Sequence, residues 1–228
     1  MKNNKSTVSY PNAYRIYTGR SFTNGVIWLS IASVLLFSSM MLIMILLMYI
    51  DNDNAQELEP TFGITIASIY GSMQVIMRMI TLYDKSMPGG KFFRTVKGGF
   101  DTYAKAQKAF IAEGAISLIV FCSFLAIIDA IGIMEIGDGI GSCIILIITI
   151  FLARAIASFS RIINNSVMRM IMIIFVFFVI DLLGVLQIEA FGGKVGFLHV
   201  VLAIVTVALT IISEKAVLHN YRIKYWNN

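Results

Sequence analysis

Apolar residues along the chain gather in long unbroken runs, at 26–50, 61–83, 114–134, 140–159, 167–188 and 196–213. A helix rising about 1.5 Å per residue needs roughly 17–25 such residues to cross a hydrocarbon core about 30 Å thick. Helices also satisfy every backbone group within their own segment, which lipid demands. A transmembrane β-barrel would show about 10 residues of alternating polarity per strand. Residues 40–49 instead run apolar without alternation. The pattern therefore predicts an all-α fold, a polytopic transmembrane bundle of six spans. Residues 1–25 form an amphipathic cytoplasmic segment, 26–213 the membrane domain with a cytoplasmic helical loop at 84–113, and 214–228 a basic cytoplasmic tail. The short stretch 135–139 turns the chain between the third and fourth spans, since one continuous helix there would carry Asp129, Glu135 and Asp138 through lipid.

Charge fixes the expected orientation. Lys2, Lys5, Arg15 and Arg20 precede the first run without an acid, while Asp51, Asp53, Glu57 and Glu59 follow it without a base. Cytoplasmic loops carry the excess of Lys and Arg, so the N-terminus is expected inside. Alternation then keeps Lys91, Arg94, Lys105, Arg161, Arg169, Lys215 and Arg222 inside and leaves Lys194 outside with Glu135, Asp138 and Glu189. An even number of crossings satisfies this bias at each turn, and both ends are expected in the cytoplasm.

Composition points the same way. The chain is 58% hydrophobic and 14% charged, against about 45–50% and 25% in soluble domains. Its net charge of +5 sits in short segments between apolar runs, which argues for topology and against nucleic acid as a partner. The first run, 26–50, exceeds the roughly 7–15 apolar residues of a cleavable signal, so it is expected to be retained as a span. Cys122 and Cys143 fall in adjacent spans of opposite direction, at different expected depths, and no disulfide is predicted.

Residues 84–113 form the one polar stretch long enough to carry structure. Pro88-Gly89-Gly90 and Gly98-Gly99 break it, and Phe100, Tyr103, Ala104, Gln107, Phe110 and Ile111 then recur at helical spacing, with Asp101, Lys105 and Lys108 directed elsewhere. Such a helix either lies on the inner membrane surface, aromatics in the headgroups and lysines on anionic lipid, or docks in a groove of a cytoplasmic partner. A second amphipathic stretch, Tyr10 to Phe22, either lies along the same leaflet or forms a loose basic tail.

Arg78, Asp129, Arg154 and Asp181 are the candidate intramembrane polar sites. Asp181, mid-span, costs at least about 2.5–3.5 kcal/mol in lipid, which asks for a hydrogen bond, a pair with Arg78 or Arg154, or protonation. Arg78 and Arg154 sit near cytoplasmic ends, where long stems snorkel to the headgroups. Asp129 lies near the outer end of its span. Small-residue pairs Ala153/Ala157 and Gly137/Gly141 allow close helix approach. His199 and His219 fall near opposite faces, no metal-ligand spacing occurs, and no phosphate-binding Gly-rich loop is present. No cofactor, metal or enzymatic activity is expected, and the methionines read as apolar filling.

The amphipathic start, six runs, acidic first external loop and helix-bearing connection after the second run together resemble the membrane subunit of type-2 ATP-binding cassette exporters, especially the short bacterial permeases. That resemblance covers most of the chain and implies a multi-pass bacterial plasma-membrane permease. Its partners would be the lipid bilayer, a separate ATP-binding cassette ATPase and a second permease in a homo- or heterodimer. Lys97, Phe100, Asp101, Tyr103, Lys105, Gln107 and Lys108 would then form the coupling element. The last external loop is shorter than in fuller members, which carry re-entrant helices there. Two other readings of the residues are a non-transporting scaffold, immunity or regulatory protein, and an ion-coupled carrier using Asp181.

Overall fold

A computed structural model describes residues 8–50, 98–131, 139–163 and 166–225, all helical or connecting, with no strand among them. Helix α1 spans Tyr10–Thr18. Pro11 suits its first turn, where a missing N–H costs nothing, and Gly19, at φ 75°, ends it by donating to the Arg15 carbonyl. Helix α2 follows at Phe22–Ile50, α3 at Gly99–Ala130 and α4 at Gly139–Phe159. A 3-10 turn, Ser160–Ile162, extends α4. Helix α5 covers Ser166–Phe191 and α6 covers Phe197–Tyr225. Among the described residues, four stretches are long and apolar enough to cross a membrane: Phe22–Ile43, Gly99–Ala130, Ile140–Ile162 and Phe197–Ile223. The expected second span, 61–83 with Arg78, lies outside the described residues, as do Lys97 and the 135–138 turn.

Helix α4 is the centre, packed against α3, α5 and α6. Its buried Ile145, Leu146, Ile150, Ala153 and Ala157 join Leu118, Phe121 and Leu125 of α3 in one apolar core. Phe37 of α2 meets Phe121 and Phe124 edge-on, at ring separations of 5.8 and 5.9 Å. Outward, Trp28, Leu35, Phe175, Phe178 and Ile204 stay exposed. Apolar surface of this extent on several helices needs lipid or protein against it.

Contacts also give the helix directions. Gly25 and Phe37 of α2 lie against Glu113 and Phe121 of α3, so these two helices run parallel. Helix α4 runs antiparallel to α3, because Cys143 meets Cys122 while Arg161 meets Gln107. Helices α4 and α6 are parallel: Gly141 abuts Gly193 just before α6, and Arg154 meets Glu214 further along both. As a result α1, the start of α3 and the end of α6 converge at one end of the bundle.

Three expectations change. The Cys122 and Cys143 thiols are free and buried, but they share one depth, since Cys143 Sγ reaches the Cys122 carbonyl at 3.5 Å; the stagger of α3 and α4 brings them level. Arg154 does not snorkel. Its guanidinium holds the Glu214 carboxylate at 3.1 Å, with side chains 11% and 14% exposed. The tail from 214 is no separate segment through Tyr225, because α6 continues that far and turns Glu214 toward α4.

Candidate functional site

The end where α1, the start of α3 and the end of α6 converge carries a dense set of aromatic and charged contacts among the described residues. Ala13, Tyr14 and Tyr17, on one face of α1, are buried against Tyr103, Ala106, Ala109 and Phe110 of α3. The Tyr17 ring stands edge-on to Tyr103 and Phe110, at 5.8 and 5.9 Å. Tyr221 of α6 stacks on the other side of Tyr103, at 4.4 Å and 15°. Tyr103 thus sits between the first helix and the last. Such aromatic pairs add about 0.5–1.5 kcal/mol each beyond area burial.

Polar contacts lock the same junction. Arg20, just past α1, donates Nε to Tyr14 Oη and Nη2 to Glu113 Oε1, each at 3.2 Å. Glu113 is fully buried, which is tolerable only because cation and phenol satisfy it. Burial, and next the Glu113 charge, push the Tyr14 phenol up to about 12. Gly25 makes room for the pair: a Cβ there would lie 2.3 Å from Tyr14 Oη and 2.6 Å from Glu113 Oε1. Lys105 Nζ donates to the Val8 carbonyl at 2.8 Å, tying down the approach to α1. Gln107 Nε2 donates to Tyr103 Oη, and its Oε1 lies 3.5 Å from the buried Arg161 Nη1.

These contacts redistribute the expected coupling residues. The stretch 100–113 is not a separate surface helix, because it forms nearly the first half of α3 and continues without a break into the third run. Tyr103 and Gln107 face inward and are covered. Lys105 is half-buried and Asp101 and Lys108 are exposed, while the Arg222 guanidinium of α6 lies 5.6 Å from the centre of the Phe100 ring. The outward surface therefore presents Arg15, Lys108 and Arg222 beside Asp101, with apolar Tyr10, Ile16 and Ile223 between them. Helical periodicity marked the aromatic face, but nothing local told that α1 and α6 would cover it. Arg20, Glu113 and Tyr221 went unread because their roles depend on partners 93, 93 and 118 positions away in sequence.

Of the intramembrane polar residues, Asp129 is half-buried in the last turns of α3 and Arg154 pairs with Glu214. Asp181 falls within α5, with its side chain outside the described residues. Among the described residues no group of three or more His, Cys, Asp or Glu is placed to hold a metal. Comparison with known proteins finds no matching family model, curated protein or solved structure.

Proposed function

We propose that this chain is a multi-pass permease subunit of an ATP-driven exporter in a bacterial plasma membrane, six spans with both ends cytoplasmic, and that the α1–α3–α6 junction is where a separate ATPase docks. The single observation that carries the reading is the convergence of α1 and the end of α6 on the base of α3. A soluble partner meeting that junction would push on a tied unit and so on α3, α4 and α6 together. Two further features support it. Helices α2 and α3 run parallel, which agrees with an even number of crossings. The convergent end is also the cationic one, with Arg15, Arg20, Lys105, Lys108, Arg161 and Arg222, and cytoplasmic faces carry that excess. Exposed apolar faces on α2 and α5 are free for lipid or a second permease.

The test is co-purification from membranes with the product of any adjacent ATPase gene, comparing the native chain with an Arg15→Glu/Lys108→Glu variant. Both positions are exposed, so insertion should persist while ATPase recovery falls at least tenfold. Full recovery by the variant would remove the docking role. Absence of any co-purifying ATPase would favour a non-transporting membrane scaffold, and terminal tags reporting opposite compartments would sink the topology.

A further inference from the structure

Cys122 of α3 and Cys143 of α4 are the two cysteines of the chain, and the fold sets them side by side although they stand 21 positions apart. Cys143 Sγ donates to the Cys122 carbonyl at 3.5 Å, and the Cys122 thiol hydrogen-bonds to the Cys143 sulfur. Both residues belong to one apolar core with Leu118, Phe121 and Leu125 of α3 and Ile145 and Leu146 of α4. Cys122 is 4% and Cys143 5% exposed. Two sulfurs from separate helices, in contact with each other, are what a disulfide needs: its Cα atoms stand about 4.4–6.8 Å apart, and a sulfur that already touches its partner's own backbone is within that reach.

The surroundings select among the products that oxidation of a thiol can give. Sulfinic and sulfonic acids are ionised at neutral pH, and a charge left in this apolar core without a cation is costly to desolvate. A disulfide is uncharged and removes both S–H donors, so it is the oxidised form that this core accommodates. The same burial disfavours the thiolate that begins the reaction, so conversion is slow and a charged oxidant confined to water does not reach the pair.

We infer that Cys122 and Cys143 are a dithiol that closes to a disulfide joining α3 to α4, with hydrogen peroxide, a small uncharged molecule, as the oxidant. One sulfur attacks the peroxide: the S–O bond forms, the O–O bond breaks, and water leaves, giving a sulfenic acid. The second thiol attacks that sulfur: the S–S bond forms, the S–O bond breaks, and a second water leaves. The two thiols lose two electrons in all, and the peroxide is reduced to two waters. The product fixes α3, whose first turns carry the junction with α1 and α6, to the central helix of the bundle. None of this depends on the function proposed above.

The test counts free thiols in the native chain. Membranes are treated with hydrogen peroxide, denatured without reductant and reacted with a maleimide-linked polyethylene glycol, each free thiol adding one step in gel mobility. Two additions are expected before oxidation, none after it, and two again once dithiothreitol has been added. Cys122→Ser and Cys143→Ser should each keep their single addition at the same dose, because neither has a second thiol to close the bond. Two additions persisting in the native chain, at a dose that exhausts a water-exposed control thiol in the same vesicles, would overturn the inference. So would losses in the single-cysteine variants equal to that in the native chain, or disulfide-linked dimers in place of an internal bond. The thiol count of the native chain involves no substitution, so it stands even where a serine variant folds poorly.

Discussion

Arg154 of α4 and Glu214 of α6 face each other at 3.1 Å, both largely buried and both within helices long enough to cross a membrane. An ion pair there ties two parallel helices together. Removing one partner leaves the other charge desolvated, at a cost of about 3–5 kcal/mol, whereas replacing both by apolar side chains of similar volume is often close to neutral. Arg154→Ala and Glu214→Ala should each destabilise strongly, and Arg154→Met/Glu214→Leu should recover most of the loss. Equilibrium unfolding in detergent or bicelles checks this, and equal loss in the double variant would dismiss the pair.

The elbow between α1 and α2 depends on a missing side chain. Gly25→Ala drives a methyl into Tyr14 Oη and Glu113 Oε1, and overpacking of this kind costs about 1–3 kcal/mol. The expected signature is local: faster proteolysis near α1 at unchanged membrane insertion, measured by limited digestion of membranes.

Tyr14 supplies a pH dependence. Burial pushes its folded pKa up to about 12, above the usual phenol value of 10.0, so the folded protein keeps a proton that the unfolded chain releases first. That contribution is complete below about pH 10, and it is lost as pH climbs from there through about 12. Tyr14→Phe should remove this part of the alkaline loss, so that the variant's stability falls less steeply than the wild type's over that window, read from unfolding midpoints at successive pH values. An identical alkaline slope in both proteins would refute the assignment.

Tyr103 is placed to hold the junction together from inside. Tyr103→Ala removes both the Tyr17 and Tyr221 ring contacts, and deleting a large buried aromatic costs about 3–5 kcal/mol. Crosslinking yield between cysteines placed on α1 and α6 should fall sharply in this variant and stay unchanged in Lys108→Ala, whose side chain is exposed.

Apolar run length made most of the helices readable, because a 20-residue apolar stretch has few other solutions. The fourth run, 140–159, and helix Gly139–Phe159 differ by one residue. What run length could not give is where a helix stops once it leaves lipid. Nothing at Glu113 or Glu214 breaks a helix, so α3 and α6 run past the ends of their apolar segments: the helix expected from Phe100 is continuous with the third span, and the tail expected from 214 is helical through Tyr225. The candidate site was half legible for the same reason. Periodicity showed that Tyr103, Gln107 and Phe110 share a face, but a face needing cover looks alike whether lipid, a partner or the chain's own first helix supplies it. Arg154 illustrates the limit: a long cation near a span end suits snorkelling until a carboxylate 60 positions later is brought alongside.

Helix α3 has 32 residues in one piece, about 48 Å at ~1.5 Å per residue, against a hydrocarbon core of about 30 Å. It is therefore roughly 18 Å longer than such a core, with no break along its length. A push or twist delivered at Asp101 would meet no soft joint before Phe121 and Cys122, which are buried among the other helices of the same unbroken rod.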